Sequence, residues 1–412
     1  MTPPCILVVG NSFSSLKSYL EGHNFDYVVL KDAALTKFPD KIFKHRVVCD
    51  FSDMDDVLKK VDEIVATKSI DGVFCTYEQF ISAASEIARH LGLPALPEEA
   101  ARACTDKFVM RTQFAKAPEK ISPEFAVIDN EQTLRNFAAS HSFPLIIKPA
   151  NLSKSLLVSK SDSLEELLHN YQNALENMGR VYKKYAPHAT PKLLVEEFME
   201  GSVHSVDAFV DKHGTPFVLD AIVDYETGHD IGFDDNFHYS RLLPSQLSDK
   251  DQAAVKHVAT LGVQALGMKN TPAHVEIIMT AGGPMIVEIG ARNGGYRERM
   301  HDMANGIDIL ANALKLSLGQ EPDIIATKSE SMGVFELFPK EPGIFECLEN
   351  EKGLLELPSL ARLAIKVKPG TFVGKASDGY KMCAIVFLHN KDTNEFRRDM
   401  AFLNHKVRVI TK

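Results

Sequence analysis

The sequence predicts a multidomain protein of the α/β and α+β classes that begins with a doubly wound parallel sheet. A chain of 412 residues exceeds the usual size of one hydrophobic core, so two or three domains are expected. In the first domain, short apolar runs alternate with helical patterns, and strands separated by helices favour a parallel sheet. The region after residue 320 is instead rich in strand patterns.

The first domain is predicted to span residues 1–98. Its expected strands are 5–9, 27–30, 46–49 and 72–75, and its expected helices are 55–67 and 78–91. Two prolines and a glycine in 91–97 mark its end. Its first turn lacks most glycines of a dinucleotide fingerprint. Ligands of such sheets bind beyond the carboxyl ends of the strands, so Glu78, just after the fourth strand, is a candidate substrate-binding residue. Alternatively, Glu78 is an acidic residue at the N-terminus of a helix, where the helix dipole favours a negative charge.

The composition narrows the classes of partner. With 46 Lys and Arg against 55 Asp and Glu, the formal net charge is −9, so neither nucleic acid nor an anionic membrane is expected as main partner. The six cysteines are scattered, which favours buried thiols in a reducing compartment over disulfides or structural zinc. There is no signal-like N-terminus and no apolar run of about 18 residues, so we expect a cytoplasmic protein without a membrane span.

The stretch 274–296 predicts a β-hairpin that carries a metal-nucleotide site. Apolar residues alternate on both sides of the turn 281–283, and a three-residue loop there would place Glu276 opposite Glu288. Like charges opposed on a sheet repel each other, so a cation is expected between these carboxylates. Mg²⁺ takes carboxylate oxygens and completes its shell with water and phosphates. Alternatively, both glutamates line the solvent face of an amphipathic hairpin.

Three basic residues are candidates for binding anions. Arg292, four residues after Glu288, offers a planar fork that suits phosphate or carboxylate. Lys148 ends a buried strand, so its ammonium group must leave the sheet toward water or an anion. Lys107 lies on a helix predicted over 100–116, where a solvated role is the alternative.

Two extended segments complete the candidate nucleotide site. The loop 151–160 has no glycine, but Ser155 can donate a hydrogen bond to phosphate. The strand and turn 192–201 offer free backbone groups for a purine edge. Alternation places Glu196 and Glu197 on opposite faces, so only one of them can point at such a ligand.

These positions together resemble the ATP-grasp family, and within it the carboxylate–amine ligases similar to bacterial L-amino acid ligases and to biotin carboxylase. The resemblance covers about residues 72–320 and rests on five motifs in the family's order. They are Asp106-Lys107 in TDKFVMR, Lys148 in PLIIKPA, the EEFMEG hinge, Glu276, and Glu288 with Arg292 in EIGARNGG. It implies an ATP-grasp fold with a pre-ATP-grasp domain at 1–98, a small lobe or lid at 99–192, a large lobe at 193–320 and a strand-rich C-terminal subdomain at 321–412.

The resemblance also implies where ATP binds. The nucleotide would lie between the two lobes, with Lys107 and Lys148 on its phosphates. The backbone of Glu197 and Met199 and the side chain of Glu196 would hold adenine.

The same resemblance implies the metal and catalytic residues. Glu276 and Glu288 would hold one or two Mg²⁺ ions, or Mn²⁺ in their place. Arg292 would act in catalysis by steadying an acyl phosphate and the tetrahedral intermediate that follows it.

Three departures from the family pattern affect individual site residues. The glycine-rich phosphate loop is replaced by NLSKSLLV, which contains Ser155. The position of the ribose carboxylate is Val203, with His204 beside it as the substitute. Gly290 stands where many members have Asn, which leaves Asn293 to hold a second metal ion.

The expected function is an ATP-dependent ligase that joins a small carboxylate and a small amine, such as two amino acids, releasing ADP and phosphate. The alternatives are another ATP-grasp activity, carboxylase-like or in nucleotide-precursor synthesis, and a catalytically silent ATP-binding module. Candidates for clamping a substrate carboxylate are Arg241, Arg297 and Arg299. The acidic, aromatic stretch 224–239 is predicted to be a mobile cover loop. A homodimer is the commonest assembly for such a chain.

Overall fold

The N-terminal region forms the predicted parallel sheet. The computed structural model describes residues 2–10, 14–34, 45–152, 156–186, 189–233 and 235–412. Four strands pair in parallel in the order β3-β2-β1-β4. These strands are β1 (Cys5–Val9), β2 (Asp26–Asp32), β3 (Arg46–Cys49) and β4 (Gly72–Cys75), and the helices are α1 (Ser14–Gly22), α2 (Met54–Val65) and α3 (Ile81–His90). All four predicted strands and the parallel pairing are confirmed.

A second, antiparallel sheet of four strands follows in the order β5-β8-β6-β7. Its strands are β5 (Phe125–Val127), β6 (Leu145–Pro149), β7 (Ser159–Ser161) and β8 (Leu193–Glu197), and the helices of this region are α4 (Glu98–Thr105), α5 (Lys107–Phe114), α6 (Glu131–Ser140) and α7 (Leu164–Tyr185). We call this sheet with α6 and α7 the small lobe. The helix predicted over 100–116 is interrupted at Asp106, whose carboxylate caps α5 by accepting from the backbone N–H of Phe108 at 2.8 Å.

The third sheet, which we call the large sheet, has eight antiparallel strands in the order β13-β12-β9-β10-β11-β14-β18-β16. Its strands are β9 (Gly201–Val210), β10 (Pro216–Thr227), β11 (His238–Leu243), β12 (Thr271–Thr280), β13 (Gly283–Gly290), β14 (Ser331–Leu337), β16 (Leu360–Ile365) and β18 (Ala384–Asn390). The helices of this part are α8 (Gly228–Ile231), α9 (Asp249–Ala265), α10 (Arg297–Asn305) and α11 (Ile309–Ser317).

The remaining C-terminal elements form a small sheet in the order β17-β15-β19. They are β15 (Gly343–Glu349), β17 (Phe372–Val373), β19 (Arg408–Thr411), α12 (Glu351–Leu355) and α13 (Thr393–Lys406). The predicted domain boundaries differ from the sheet pairing in two places. Strand β8 begins at residue 193 but pairs within the small lobe, and the large sheet continues past residue 320 through β14, β16 and β18.

The stretch 224–239 is packed rather than a loop over its whole length. It comprises the end of β10, the short helix α8 and the start of β11. The ring of Tyr239, which is 3% exposed, stacks on Phe233 at 4.8 Å and meets Phe338 edge-on at 5.6 Å. Aromatic residues in this stretch therefore bury apolar surface, which the acidic composition had obscured.

The hairpin β12–β13 has the predicted pairing of glutamates with a different turn. Thr280 pairs with Gly283, so the loop holds two residues and the predicted three-residue loop is wrong. A β-bulge between Ile286 and Glu288 adds one residue to β13, and this restores the register so that Glu276 faces Glu288. The two changes compensate each other.

The large sheet presents two different faces around this hairpin. One face is apolar and packs on α5 and α9, with fully buried side chains at Val206, Val275 and Ile277. Because side chains alternate along a strand, Ser205 and Glu276 point to the opposite face. We call this opposite face the polar face. Within the part of the chain that the structure describes, no helix is both long and apolar enough to cross a membrane.

Candidate active site

The centre of the candidate site is the pair of carboxylates on the hairpin. The side chains of Glu276 and Glu288 are 22% and 23% exposed and belong to directly opposed residues. Burial raises the pKa of Glu276, but the hydrogen bond from His274 and nearby positive charges hold this pKa below its usual range. Burial and Glu276 raise the pKa of Glu288, while Lys107 lowers it, and the net shift is downward. Both carboxyls are therefore ionised at neutral pH.

Lys107 supplies the nearest positive charge to this pair. It is the first residue of α5, and its Nζ lies 2.8 Å from Glu288 Oε2 and donates to the backbone oxygen of Leu152 at 3.1 Å. Burial lowers the pKa of Lys107, but Glu288 and Glu78 raise it above its ordinary value. Lys107 therefore remains an ammonium group throughout the physiological range.

Lys148 lies in a second, more deeply buried ion pair. Its Nζ is 2.6 Å from Glu196 Oε2, and the same carboxylate accepts from Arg111 Nε at 2.9 Å. Burial lowers the pKa of Lys148 to about 8, although Glu196 raises it. The Glu196 side chain is 1% exposed. The Glu196 carboxylate thus pairs with two cationic side chains, Arg111 and Lys148. This corrects the expectation that it faces adenine.

The hinge residues after Glu196 are more accessible. Glu197 points away from Glu196, as alternation predicts, and its Oε2 lies 3.2 Å from Lys120 Nζ and accepts from the backbone N–H of Glu124 at 3.0 Å. Met199 lies in the connection between β8 and β9. The backbone groups of this hinge, rather than the Glu196 side chain, are therefore available to bind a purine. Ser155 lies outside the described residues.

Arg292 connects the hairpin to the N-terminal sheet. Its Nη2 lies 3.0 Å from Glu78 Oε2, and its Nη1 donates to the backbone oxygen of Asn293 at 3.2 Å. Glu78 begins a 3₁₀ turn directly after β4, so it is both an acid at a helical N-terminus and a residue of the site. The structure thus brings Glu78 and Arg292 together across 214 residues.

His204 lies on the wrong face for the predicted contact with ribose. It pairs with Ile277 on β12, and therefore points to the apolar face, opposite to Glu276. Its Nε2 is 2.6 Å from Ser202 Oγ and its Nδ1 is 2.7 Å from Asp224 Oδ1. His204 is 3% exposed, so it connects neighbouring strands of the sheet.

The arginines predicted to clamp a substrate are all engaged by the protein itself. Arg297 is 1% exposed, and its Nη2 donates to Ser205 Oγ at 2.8 Å. Its Nε lies 3.2 Å from Asp207 Oδ2, a charge contact without hydrogen-bond geometry. This burial corrects the expectation that Arg297 binds substrate. Arg299 is exposed, with its guanidinium carbon 5.0 Å from the centre of the Phe387 ring.

Arg241 remains on the polar face beside the site. It pairs across the strands with Tyr225, and its Nη1 lies 2.9 Å from Glu336 Oε1. Its guanidinium carbon is 5.4 Å from the centre of the Tyr296 ring. Because Glu336 is on β14, the region after residue 320 contributes a side chain to this wall of the site, which the sequence did not indicate.

Two histidines near the carboxylates were missed by sequence reasoning. His274 Nδ1 is 2.8 Å from Asp207 Oδ1, and its Nε2 is 3.5 Å from Glu276 Oε1. Its spacing of two residues from Glu276 placed it on the same face and was a usable signal. His238 lies near both Glu276 and Glu288, and burial lowers its pKa. A bulge at Tyr239 in β11 lies directly beside His238, so alternation gave no signal for it.

The comparison with known families identifies this arrangement. Residues 141–299 match the family model described as the ATP-grasp domain. This part of the chain is an ATP-grasp domain. The predicted family is thereby confirmed, and ATP-grasp enzymes use ATP and divalent metal ions.

Related proteins and structures support the same assignment. The chain is 22% identical over 381 residues to the uncharacterised protein y4rH of Sinorhizobium fredii, covering 90% of this chain and 76% of that protein. It is 24% identical over 284 residues to carnosine synthase 1 of Mus musculus, covering 64% of this chain but only 33% of that protein. The crystal structure of L-amino acid ligase from Bacillus licheniformis is 19% identical, with a TM-score of 0.83 and 100% of both chains covered. The predicted ATP-grasp fold is confirmed, and the homologues and structural neighbours are ATP-grasp ligases that form carbon–nitrogen bonds.

The donor set of this ATP-grasp domain fits a divalent cation that keeps part of its shell for other ligands. Among the described residues, no group of three or more His, Cys, Asp or Glu side chains could hold a metal ion. Glu276 and Glu288 supply two ionised carboxylates, and the buried Oδ1 of Asn293 has no hydrogen-bond partner in the described part of the chain. Mg²⁺ usually binds one or two carboxylates with water and substrate phosphates, which suits this incomplete protein shell.

Proposed function

We propose that this ATP-grasp enzyme is an ATP-dependent carboxylate–amine ligase that joins two small molecules, with amino acids as the substrate class. The observation that carries the proposal is the convergence of opposite charges at the hairpin. Two ionised carboxylates, Glu276 and Glu288, are flanked by Lys107 and Arg292. The likeness to an L-amino acid ligase over the whole length of both chains supports this class of reaction.

The two lysines are the proposed phosphate ligands. Lys107 and Lys148 are each held by a carboxylate, at 2.8 Å from Glu288 and 2.6 Å from Glu196. A triphosphate would replace Glu288 as the partner of Lys107 and would share Lys148 with Glu196. The backbone around Glu197 and Met199 is the proposed site for adenine.

The metal ligands would be Glu276 and Glu288, with Asn293 Oδ1 as a third oxygen. A bound Mg²⁺ or Mn²⁺ would supply positive charge that reduces the repulsion between the phosphates and an attacking carboxylate. The direction of the pKa shifts supports this role, because both glutamates are deprotonated and ready to bind a cation at neutral pH.

The proposed chemistry has two steps. A carboxylate oxygen of the first substrate attacks the γ-phosphorus of ATP, and the bond from this phosphorus to ADP breaks to leave an acyl phosphate. The nitrogen of the amine then attacks the acyl carbon, the bond from this carbon to the phosphate oxygen breaks, and the amine loses a proton to solvent. The protein contributes mainly position and charge to such phosphoryl transfer.

Arg292 is the proposed catalytic residue. Glu78 and the backbone of Asn293 hold its guanidinium at 3.0 and 3.2 Å, so its orientation is fixed before substrate binds. From this position it would stabilise the negative charge on the acyl phosphate and on the tetrahedral intermediate. Arg241, on the polar face, is the proposed partner for a substrate carboxylate.

The experiment is incubation of the protein with Mg²⁺, ATP and mixtures of amino acids, with phosphate release and product masses measured together. The proposal expects phosphate release that depends on an amine, and a product whose mass equals the two substrates minus water. Phosphate release without a coupled product would indicate another ATP-grasp activity. Nucleotide binding without any phosphate release would indicate a silent ATP-binding module. Light scattering in the same buffer would test the predicted homodimer.

A further inference from the structure

Arg111 joins the small lobe to the metal hairpin through a completely buried side chain. It lies on α5 and is 0% exposed. Its Nε donates to Glu196 Oε1 at 2.9 Å and its Nη2 to Glu196 Oε2 at 3.2 Å, while Nη2 also donates to the backbone oxygen of Val287 at 2.8 Å. These acceptors lie on β8 and β13, which belong to different sheets.

Val287 is the extra residue of the bulge in β13. Ile286 pairs with Ile277 and Glu288 pairs with Glu276, so Val287 has no partner in this ladder. A bulge leaves its extra residue unpaired and bends the strand. At this unpaired position, Arg111 Nη2 donates a hydrogen bond to the Val287 carbonyl.

This bulge decides which face Glu288 occupies. Ile286 is fully buried in the apolar core, and in a regular strand residue 288 would lie on the same face as residue 286. The added residue turns Glu288 over to the polar face, where Glu276 lies. A change in the bulge would therefore move one of the two opposed carboxylates.

Arg111 also acts on the other side of the site. The Glu196 carboxylate that it holds is the one that pairs with Lys148 Nζ at 2.6 Å. The position of Lys148 is thus set by a carboxylate whose own position depends on Arg111. The Arg111 guanidinium therefore contacts both Glu196, which holds Lys148, and the bulge that positions Glu288.

We infer that Arg111 is a positioning residue, which fixes the bulge that presents Glu288 to the site and, through Glu196, fixes Lys148. Arg111 itself is enclosed and touches no reacting group. The inference rests on the proposed function for what Glu288 and Lys148 bind. The placement of the two side chains does not depend on it.

The decisive experiment is a double-mutant cycle between Arg111→Met and deletion of Val287. Deletion removes the bulge and leaves a regular ladder in which Ile286, Glu288 and Ile289 keep their present partners and faces. Mn²⁺ affinity is measured by electron paramagnetic resonance with ADP present. Arg111→Met should weaken Mn²⁺ binding by about 10- to 100-fold in the full-length chain, as loss of an outer support of a metal ligand typically does. In the deleted background, the same substitution should weaken Mn²⁺ binding at least about 3-fold less than in the full-length chain, because the route through the bulge is gone and only the route through Glu196 and Lys148 remains.

An equal loss in both backgrounds, or no loss in either, would overturn the inference. Asp399→Asn is the control for general destabilisation, because Asp399 is 7% exposed on α13 and accepts from the Ser359 backbone at 2.9 Å, far from the hairpin in the fold. It should lower the melting temperature without changing Mn²⁺ affinity. If it weakens Mn²⁺ binding as much as Arg111→Met does, a specific role for Arg111 is excluded.

Arg111→Lys provides a second reading if the methionine variant does not fold. A lysine keeps the charge beside Glu196 but lacks the planar fork that reaches two acceptors. A crystal structure of this variant without ligands should show a displaced Glu288 side chain, and an undisturbed Glu288 would refute the role. This crystallographic comparison needs no catalysis. If the proposed function is wrong, the unaltered protein will bind no Mn²⁺ with ADP. If only the inference about Arg111 is wrong, the unaltered protein will bind Mn²⁺ but the variant will show an undisturbed Glu288.

Discussion

Lys107 Nζ and Glu288 Oε2 lie 2.8 Å apart, so a proposed phosphate ligand and a proposed metal ligand are partners of each other. Each neutralises the other in the absence of a nucleotide, which limits the cost of keeping both charges partly buried. A metal ion bound to a triphosphate offers both residues a new partner at once. Metal and nucleotide are therefore expected to bind cooperatively.

Glu288→Gln is expected to abolish turnover while preserving the fold. The amide removes the charge that faces Glu276 and the partner of Lys107, but keeps the shape of the side chain. We expect turnover to fall more than about 100-fold, beyond the 10- to 100-fold typical of an outer support. Product formation and thermal unfolding are both measured, and Glu356→Gln, at an exposed position that ends α12, is the control. Turnover within threefold of the unaltered protein would refute the metal assignment.

The affinity for ATP is expected to fall as the pH rises above about 8, where Lys148 loses its proton. The fall should approach about tenfold per pH unit at higher pH, the linkage limit for one required proton. Calorimetric titrations between pH 7 and 10 measure it. The raised pKa of Lys107 keeps that residue charged over this range. Lys148→Arg should give a flat profile, since a guanidinium does not titrate there. The same alkaline loss in this variant would assign the effect elsewhere.

Gly294→Ala is expected to destabilise the protein and to impair catalysis. An added Cβ would lie 2.6 Å from His274 Cε1 and 2.8 Å from Arg297 Cγ, too close for either atom. The overpacking should cost about 1–3 kcal/mol and displace His274, which contacts Glu276. Gly295→Ala is the matched control, because its Cβ would meet no atom within 4 Å. Denaturant unfolding compares the two variants, and an equal effect would contradict the prediction.

Arg297→Met is expected to lower stability because it leaves the buried Asp207 carboxylate with fewer cations. Burial raises the pKa of Asp207, but His274, His301 and Arg297 hold it well below the usual range. Breaking such a buried pair typically costs about 3–5 kcal/mol. Arg299→Met, two residues further along α10 and exposed, should change stability by less than about 1 kcal/mol. Similar unfolding free energies for the two variants would show that Arg297 does not support the fold.

Local sequence patterns were sufficient for part of the fold and of the candidate site. Alternation and the glycine turn predicted the hairpin and the facing of Glu276 and Glu288, and apolar runs predicted all four strands of the first sheet. The predicted turn was one residue too long. The predicted register of the two glutamates was nevertheless right, because a bulge in β13 added one residue. A bulge leaves no clear sequence signature, because Val287 is a normal strand residue.

Contacts between distant segments account for what could not be predicted. The sequence could not indicate that Glu196 forms an ion pair with Arg111, 85 residues earlier in the chain, or that Glu78 forms one with Arg292. The face of His204 depends on its register with β12 rather than on its neighbours in the chain. Glu336 reaches Arg241 because β14 joins the large sheet, a pairing between segments 95 residues apart.

The continuity of the large sheet past residue 320 limits how the chain can be shortened. Strand β11 hydrogen-bonds to β10 on one side and to β14 on the other. A polypeptide truncated after residue 320 would expose the free side of β11, a row of unsatisfied amide and carbonyl groups along the four residues that now pair with β14. Such a fragment should self-associate through that side instead of behaving as a smaller working enzyme. The C-terminal region is therefore not a separable module that could be exchanged between relatives.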